Sequence, residues 1–276
     1  MIRRALAVAS VAWLVLISLG ALLAPLLSGT DPIQPVGPPL AAPSAGFGLG
    51  TDALGRDLLT RMLFGARFSL ASGLLAASLA VGIGGVAGLA AAMHGGWIER
   101  AIVRAANAML AIPGLLLALM LLTSMGPGVT TIVLAVGLGG APGFARLARA
   151  AFLAARHSDF VRAAQALGAG KRWVALRHVV PNTRTALLSL ATTQFAWAFL
   201  GTTTLAFLGL AGTPSLPEWG AMLNEGRLHL IDAPHLALLP GVAITLTILS
   251  VQFLGSWSTR RQAGAEARRA AAQLGS

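Results

Sequence analysis

The chain has 276 residues, 56% of them hydrophobic and only 11% charged, with a net charge of +11 and neither cysteine nor tyrosine. A soluble domain carries about a quarter charged residues, so in water this chain would expose a largely apolar surface; lipid is the solvent it suits. The same apolarity excludes an ordinary nucleic-acid binder despite the basic balance, and the absence of cysteine excludes disulfides, thiolate metal sites and cysteine nucleophiles.

In chain order, Arg3 and Arg4 precede an apolar run over residues 5–27. The run exceeds the ~7–15 residues of a signal-peptide core and reaches spanning length, so it is read as a retained first helix. Residues 28–65 are too long for a simple connection. There Thr51 or Asp52 fits a helix N-cap, and Leu54, Leu58 and Met62 form one i, i+4 row. Asp57 and Arg61 stand at pairing distance on the same helix, worth only ~0.2–0.5 kcal/mol. The expectation is an interfacial amphipathic helix leading into the second span.

Further uncharged runs cover residues 68–93, 105–125, 129–145, 185–210 and 236–257, which makes six expected spans. Pro142 and nearby glycines interrupt the end of the fourth. Gly84 with Gly88, and Gly139 with Gly143, have the spacing that lets helix backbones approach closely, although glycine is also simply common in membrane helices.

Residues 154–184 form a second long connection. Ser158 or Asp159 would cap a short helix, and Gly168 suits the left-handed position that ends it. Phe160, Ala164 and Leu167 share one stripe, with Arg162 and Gln165 elsewhere. A second short helix over residues 171–179 should stop before Pro181. The product is a basic helix-turn-helix: an amphipathic loop resting on the membrane, or a docking knob for a soluble partner. Residues 211–235 are acidic, with Glu218, Glu225 and Asp232 against Arg227, and the Ala- and Arg-rich tail 258–276 is expected to lie against anionic lipid. The Arg-rich segments (residues 3–4, 100–104, 146–184 and 260–269) fall on one side of the six spans, leaving Arg56, Arg61, Arg67 and Arg227 on the other. The positive-inside rule therefore puts both termini in the cytoplasm. Four parts follow: the first helix (1–27), an external loop (28–65), a core (66–257) containing the inner loop 154–184, and a cytoplasmic tail (258–276).

Catalytic and metal chemistry is not in view. His94, His157, His178, His229 and His235 lack metal-ligand spacing. There is no phosphate-binding Gly-Lys-Ser/Thr loop, and neither a Ser-His-Asp order nor paired carboxylates stand out. The spans hold no ionisable residue in their middles, which disfavours a proton- or sodium-coupled transporter.

Residues 158–182 resemble the cytoplasmic loop of binding-protein-dependent ABC permeases, whose motif is Glu-Ala-Ala, three residues, Gly, nine residues, Ile, any residue, Leu, Pro. Arg162, Ala163, Ala164 and Gly168 match its first part, and His178, Val180 and Pro181 its last. Residues 50–70, from Gly50-Thr-Asp to Arg67-Phe-Ser-Leu, resemble the longer signature of the C-type permease in dipeptide, oligopeptide and nickel importers. A third match is Phe207-Leu-Gly-Leu followed by Pro217-Glu-Trp219 and Asn224.

The resemblance implies an all-α polytopic permease of the type I importer class, with six transmembrane helices and a cytoplasmic coupling helix-turn-helix. It implies a second permease subunit, two ATP-binding cassette ATPases that hold the ATP and Mg, and an extracytoplasmic solute-binding protein. Asp159, Phe160, Arg162, Ala163, Ala164, Leu167, Gly168 and Lys171 would couple to the ATPase. Asp52, Arg56, Asp57, Glu218, Trp219 and Asn224 would form the external gate or dock the binding protein. The chain would then be a transport subunit rather than an enzyme, with no cofactor of its own, moving peptides or, alternatively, nickel or a metal chelate. Four acidic positions of the family pattern are lost: Arg162 replaces the motif's Glu, Asn107 an Asp, Thr202 a Glu and Ser256 an Asp. The reversal at Arg162 implies an ATPase with a matching acidic residue.

Overall fold

The computed structural model describes residues 2–212 and 216–274, with side chains up to Trp257, and every regular element among them is a helix. α1 (Ile2–Leu27) lies at the periphery, with Val8, Leu16, Leu22 and Leu26 turned outward. It is tied to α10 (His235–Leu274) by Trp13, whose indole N–H donates to Thr247 Oγ1 at 3.2 Å. The long α2 (Leu58–His94) and α5 (Val129–Arg156) form the central pair, and α8 (Val180–Phe207) packs against both.

Without water to exclude, helices associate in lipid through close packing, and small residues set how close they come. A Cβ on Gly84 would stand 2.5 Å from Ala141 O, and one on Gly88 2.8 Å from Ala145 O. This glycine pair is therefore an interface between α2 and α5. The other pair is not: a Cβ on Gly139 would make ordinary contact with Leu117, and one on Gly143 would meet nothing within 4 Å.

The expected spans require three corrections. The third is broken: α3 (Gly96–Leu110) and α4 (Gly114–Met125) meet at 85°. Pro113 stands at the start of α4, and proline bars the residue before it from helical geometry. The fourth span runs through Pro142 and past residue 145 to Arg156. Its basic end is accommodated because Arg149 pairs with Glu99 of α3 and Arg156 donates to Ala92 O at 2.5 Å. Among the described residues, α1, α2, α5 and residues His235–Trp257 are long and apolar enough to cross a membrane, and the bent pair counted as one span makes five. α8 occupies the place of the remaining expected span, but its seven threonines, with Asn182, Arg184 and Gln194, make it less apolar.

The outer loop is also reorganised. The helix begins at Leu58, capped by Asp57, whose carboxylate accepts from Thr60 N at 2.8 Å, and it continues unbroken as α2. Residues 51–57 instead make turns and isolated bridges, Thr51 with Asp57 and Pro35 with Arg56. Thr51 and Asp52 therefore cap no helix, Leu54 does not share a helical row with Leu58, and Arg61 finds partners other than Asp57. The expectation for the tail's charged side chains lies outside the described residues.

The α2–α5 contact is tested by Gly88→Val. Overpacking of this kind costs ~1–3 kcal/mol, so the thermal midpoint in detergent is expected to fall by several degrees, while Gly143→Ala leaves it unchanged.

Candidate functional site

At one end of the bundle, α6 (Asp159–Ala166) and α7 (Lys171–Val174) project as a knob beyond α5 and α8. Val161 anchors it: fully buried, it packs in one cluster with Met93, Phe152, Val174 and Val179. The end of α6 is a complete Schellman motif. Gly168 N–H donates to Gln165 O at 3.0 Å and Ala169 N–H to Ala164 O at 3.1 Å, and Gly168 takes the required positive φ of 88°. Ser158 lies at the N-cap, yet its hydroxyl turns back to Ala155 O instead of capping.

The stripe read from the sequence points outward. Leu167 is 90% exposed and Phe160 45%, while Asp159, Arg162, Ala163, Gly168 and Lys171 are exposed and Ala164 is half-buried. Trp173, half exposed, sets its edge on His178 at 4.8 Å, with Phe160 6.1 Å from the same ring. A groove of about 700 Å³ lies beside α7, lined by Gly170, Arg172, Trp173, Leu176 and Arg177. Trp173 and Val161 went unnoticed in the sequence. One offers exposed aromatic surface and the other sits one position off the apparent apolar stripe.

The second short helix does not stop before Pro181. A π turn, Ala175–Val179, carries the chain straight into α8, and it takes up the missing N–H of Pro181 in the first turn of α8. Asn182 Nδ2 donates to His178 O at 2.6 Å and Thr183 Oγ1 to Val179 O at 3.0 Å, satisfying carbonyls at the irregular turn. The knob is thereby continuous with a helix of the core.

The opposite end is closed by buried charge. Asp52 Oδ2 meets Arg56 Nε at 2.6 Å and Arg61 Nε at 3.2 Å. Glu225 on α9 (Trp219–Gly226) meets the same two guanidinium groups at 3.3 and 3.1 Å. Asp52, Arg56 and Arg61 are all buried. Four charges thus pin the outer loop to α2 and α9. Burial raises the carboxyl of Glu225, opposed by Arg61 and Arg56.

Beside them, Glu218 caps α9 by accepting from Ala221 N at 3.1 Å, and accepts from Ser69 Oγ of α2 at 2.6 Å. Trp219 is wholly buried, its indole N–H donating to Met62 O at 3.0 Å and its ring edge-on to Phe199. Burial pushes the Glu218 carboxyl from its ordinary 4.5 up to about 7, against the hydrogen bonds of Ser69 and the α9 backbone. Asp52, Arg56, Glu218 and Trp219 are therefore brought together as an internal brace, Asp57 serves as the α2 cap, and Asn224 lies half-buried on α9. Arg61, Glu225 and Ser69 complete the brace; the sequence supplied their charge and polarity without showing whom they meet.

Residues 80–264 match the profile of the family described as binding-protein-dependent transport system inner membrane component. The chain is 38% identical over 213 residues to the glutathione transport system permease protein GsiD of Pectobacterium atrosepticum, covering 77% of this chain and 71% of that one. It is equally similar to the protein of that name in Escherichia coli, at 38% over 77% of this chain and 70% of the relative. In fold it resembles the MetNI methionine ABC transporter in an inward-facing conformation, with a TM-score of 0.61 at 17% identity, over 73% of this chain and 95% of that one.

Two outcomes follow from the brace. Asp52→Asn removes a buried charge from two arginines and should cost ~3 kcal/mol, read as a lowered unfolding midpoint in detergent. For Glu218, the folded chain keeps a proton between pH 4.5 and about 7 that the unfolded chain releases. Stability therefore falls as pH rises through that window, by up to ~3 kcal/mol, and the loss is complete above it. Glu218→Gln should flatten this slope in thermal midpoints taken from pH 5 to 8.

Proposed function

Because the chain belongs to the binding-protein-dependent transport system inner membrane components, we propose that it forms half of the translocation pathway of an ATP-driven importer for a peptide-like solute. The observation that carries the mechanism is the knob: apolar side chains of α6 stand exposed on a stalk whose base, at Val161, is locked into the core. A soluble ATPase subunit gains from covering Leu167 and Phe160, and a rigid anchor passes its movement to α5 and α8. Asp159, Arg162, Ala163 and Lys171 surround this contact. The small side chains of Ala163 and Ala164 permit close approach, and Arg162 selects an ATPase carrying a matching acidic residue.

In this reading the knob end faces the cytoplasm, as the clustering of Arg implies. The braced end faces outward, where the binding protein delivers solute. Asp52, Arg56, Glu218 and Trp219, being buried, act there by fixing the rim of residues 28–57 and α9. Asp57 and Asn224 contribute at the start of α2 and on α9. The full assembly contains a second permease subunit, two ATPases and the binding protein. ATP and Mg bind the ATPases, and this chain supplies movement without catalysis. The names of its relatives support glutathione or another small peptide as the solute.

The test is reconstitution with the ATPase and binding-protein partners in vesicles. ATP-dependent uptake of a glutathione-sized peptide is expected, and uptake without ATP, or of nickel alone, would overturn the reading. Leu167→Asp should reduce ATPase co-purification about tenfold or more, the value of burying a leucine side chain. Because Leu167 is exposed, the unfolding midpoint of the isolated chain should not change.

A further inference from the structure

At the knob end a cleft of about 580 Å³ opens between α3 and α5, over the last turn of α2. That size is within the ~300–1,000 Å³ of ligand pockets. Its lining is of two kinds. Arg146, Arg149 and Asn107 supply polar groups, while Ile102, Val103 and Leu147 supply apolar wall.

The charges do not balance. Arg149 Nε is held by Glu99 Oε1 at 2.9 Å. Arg146 is exposed and, among the described residues, forms no ion pair. Two guanidinium groups thus face one carboxylate, and the remaining polar group, Asn107, is a neutral amide whose NH₂ can donate to a phosphate oxygen.

We infer that this cleft binds an anionic glycerophospholipid, with its phosphate at Arg146 and Asn107 and an acyl chain along Ile102, Val103 and Leu147. Basic pockets between membrane helices recognise anionic headgroups in this way. A phospholipid joins one anionic headgroup to a long acyl chain and so matches both kinds of lining. Bound there, the lipid fills the gap between α3 and α5, which the Glu99–Arg149 pair otherwise bridges at its far end. It therefore steadies the bent α3–α4 pair against the core. The inference needs only that the chain sits in a membrane, so it goes beyond the importer reading.

The experiment uses the full chain, stripped of lipid in a neutral detergent and titrated with phosphatidylglycerol or phosphatidylcholine, with lipid retention read by native mass spectrometry. Phosphatidylglycerol should be preferred. Arg146→Gln should weaken that preference roughly fivefold, the worth of one surface cation, and Arg146→Lys should restore most of it. Asn107→Asp, at an exposed position, places a carboxylate in the same cleft as Arg146 and should weaken it as much, so the test survives if the arginine variant folds poorly. Phosphatidylcholine, whose phosphate is neutralised by its own choline, should respond less than phosphatidylglycerol to each substitution. Equal retention of the two lipids by the unaltered chain would overturn the inference, as would variants that hold phosphatidylglycerol unchanged. Full competition by glycerol phosphate at the same concentration would also overturn it, because the cleft would then recognise free phosphate without the chains. No ATPase or transport enters the readout, so failure here leaves the importer reading standing, and failure of uptake leaves this one.

Discussion

The backbone contact between α2 and α5 at Gly84 and Gly88 is the constraint on which the rest of the molecule hangs. In lipid, helix pairs gain little from burying apolar surface, since the alternative neighbour is equally apolar. What holds them is the number of atoms that come within van der Waals range, and two missing Cβ groups let whole turns of backbone meet. α2 then serves as a strut through the molecule. Its first turns carry Arg61 and Ser69 to the brace, its middle crosses α5, and Met93 near its end packs under Val161 of the knob.

The two ends of that strut handle polar groups in opposite ways. At the braced end the charges are turned inward and paired, which fixes one arrangement of the outer loop, and the cost of burial is visible in the raised carboxyls of Glu218 and Glu225. At the knob end the charged and apolar side chains of α6 are left facing out, and only Val161 is committed to the core. A rigid end and a presenting end suit a subunit that is moved by one partner and loaded by another. The π turn between α7 and α8 belongs to the same logic, because it keeps the knob in helical continuity with the core instead of hinging it at Pro181.

Three of the four positions where the motif resemblance implies an acid acquire different meanings once placed. Thr202 is buried and hydrogen-bonds back to Phe199 O, a neutral packing role. Asn107 lines the cleft beside Arg146, where a neutral side chain leaves the cation uncompensated. Arg162 is exposed on α6, where its charge can be read only by a partner. Residues alike in lacking an acid thus take up a packing, a cleft-lining and a surface position that the sequence alone does not distinguish.

The sequence by itself determined the solvent, the all-helical class, the family and the place of the knob. These rest on composition, on run length and on local motifs such as Gly168 three residues beyond Gln165, all of which act over a few residues of chain. It placed the start of the helix more than a turn too early, taking Thr51 or Asp52 over Asp57 as the cap, since any short polar side chain can cap and only the competing bonds decide. Only the tertiary structure could show that Arg61 meets Asp52 and Glu225 and not Asp57, that Gly84 and Gly88 lie at an interface while Gly143 does not, and that Phe160 and Leu167 face outward with Val161 as the anchor. Those outcomes depend on helix rotation and on partners up to 164 residues away. Periodicity fixes which residues share a face; it does not fix what that face meets.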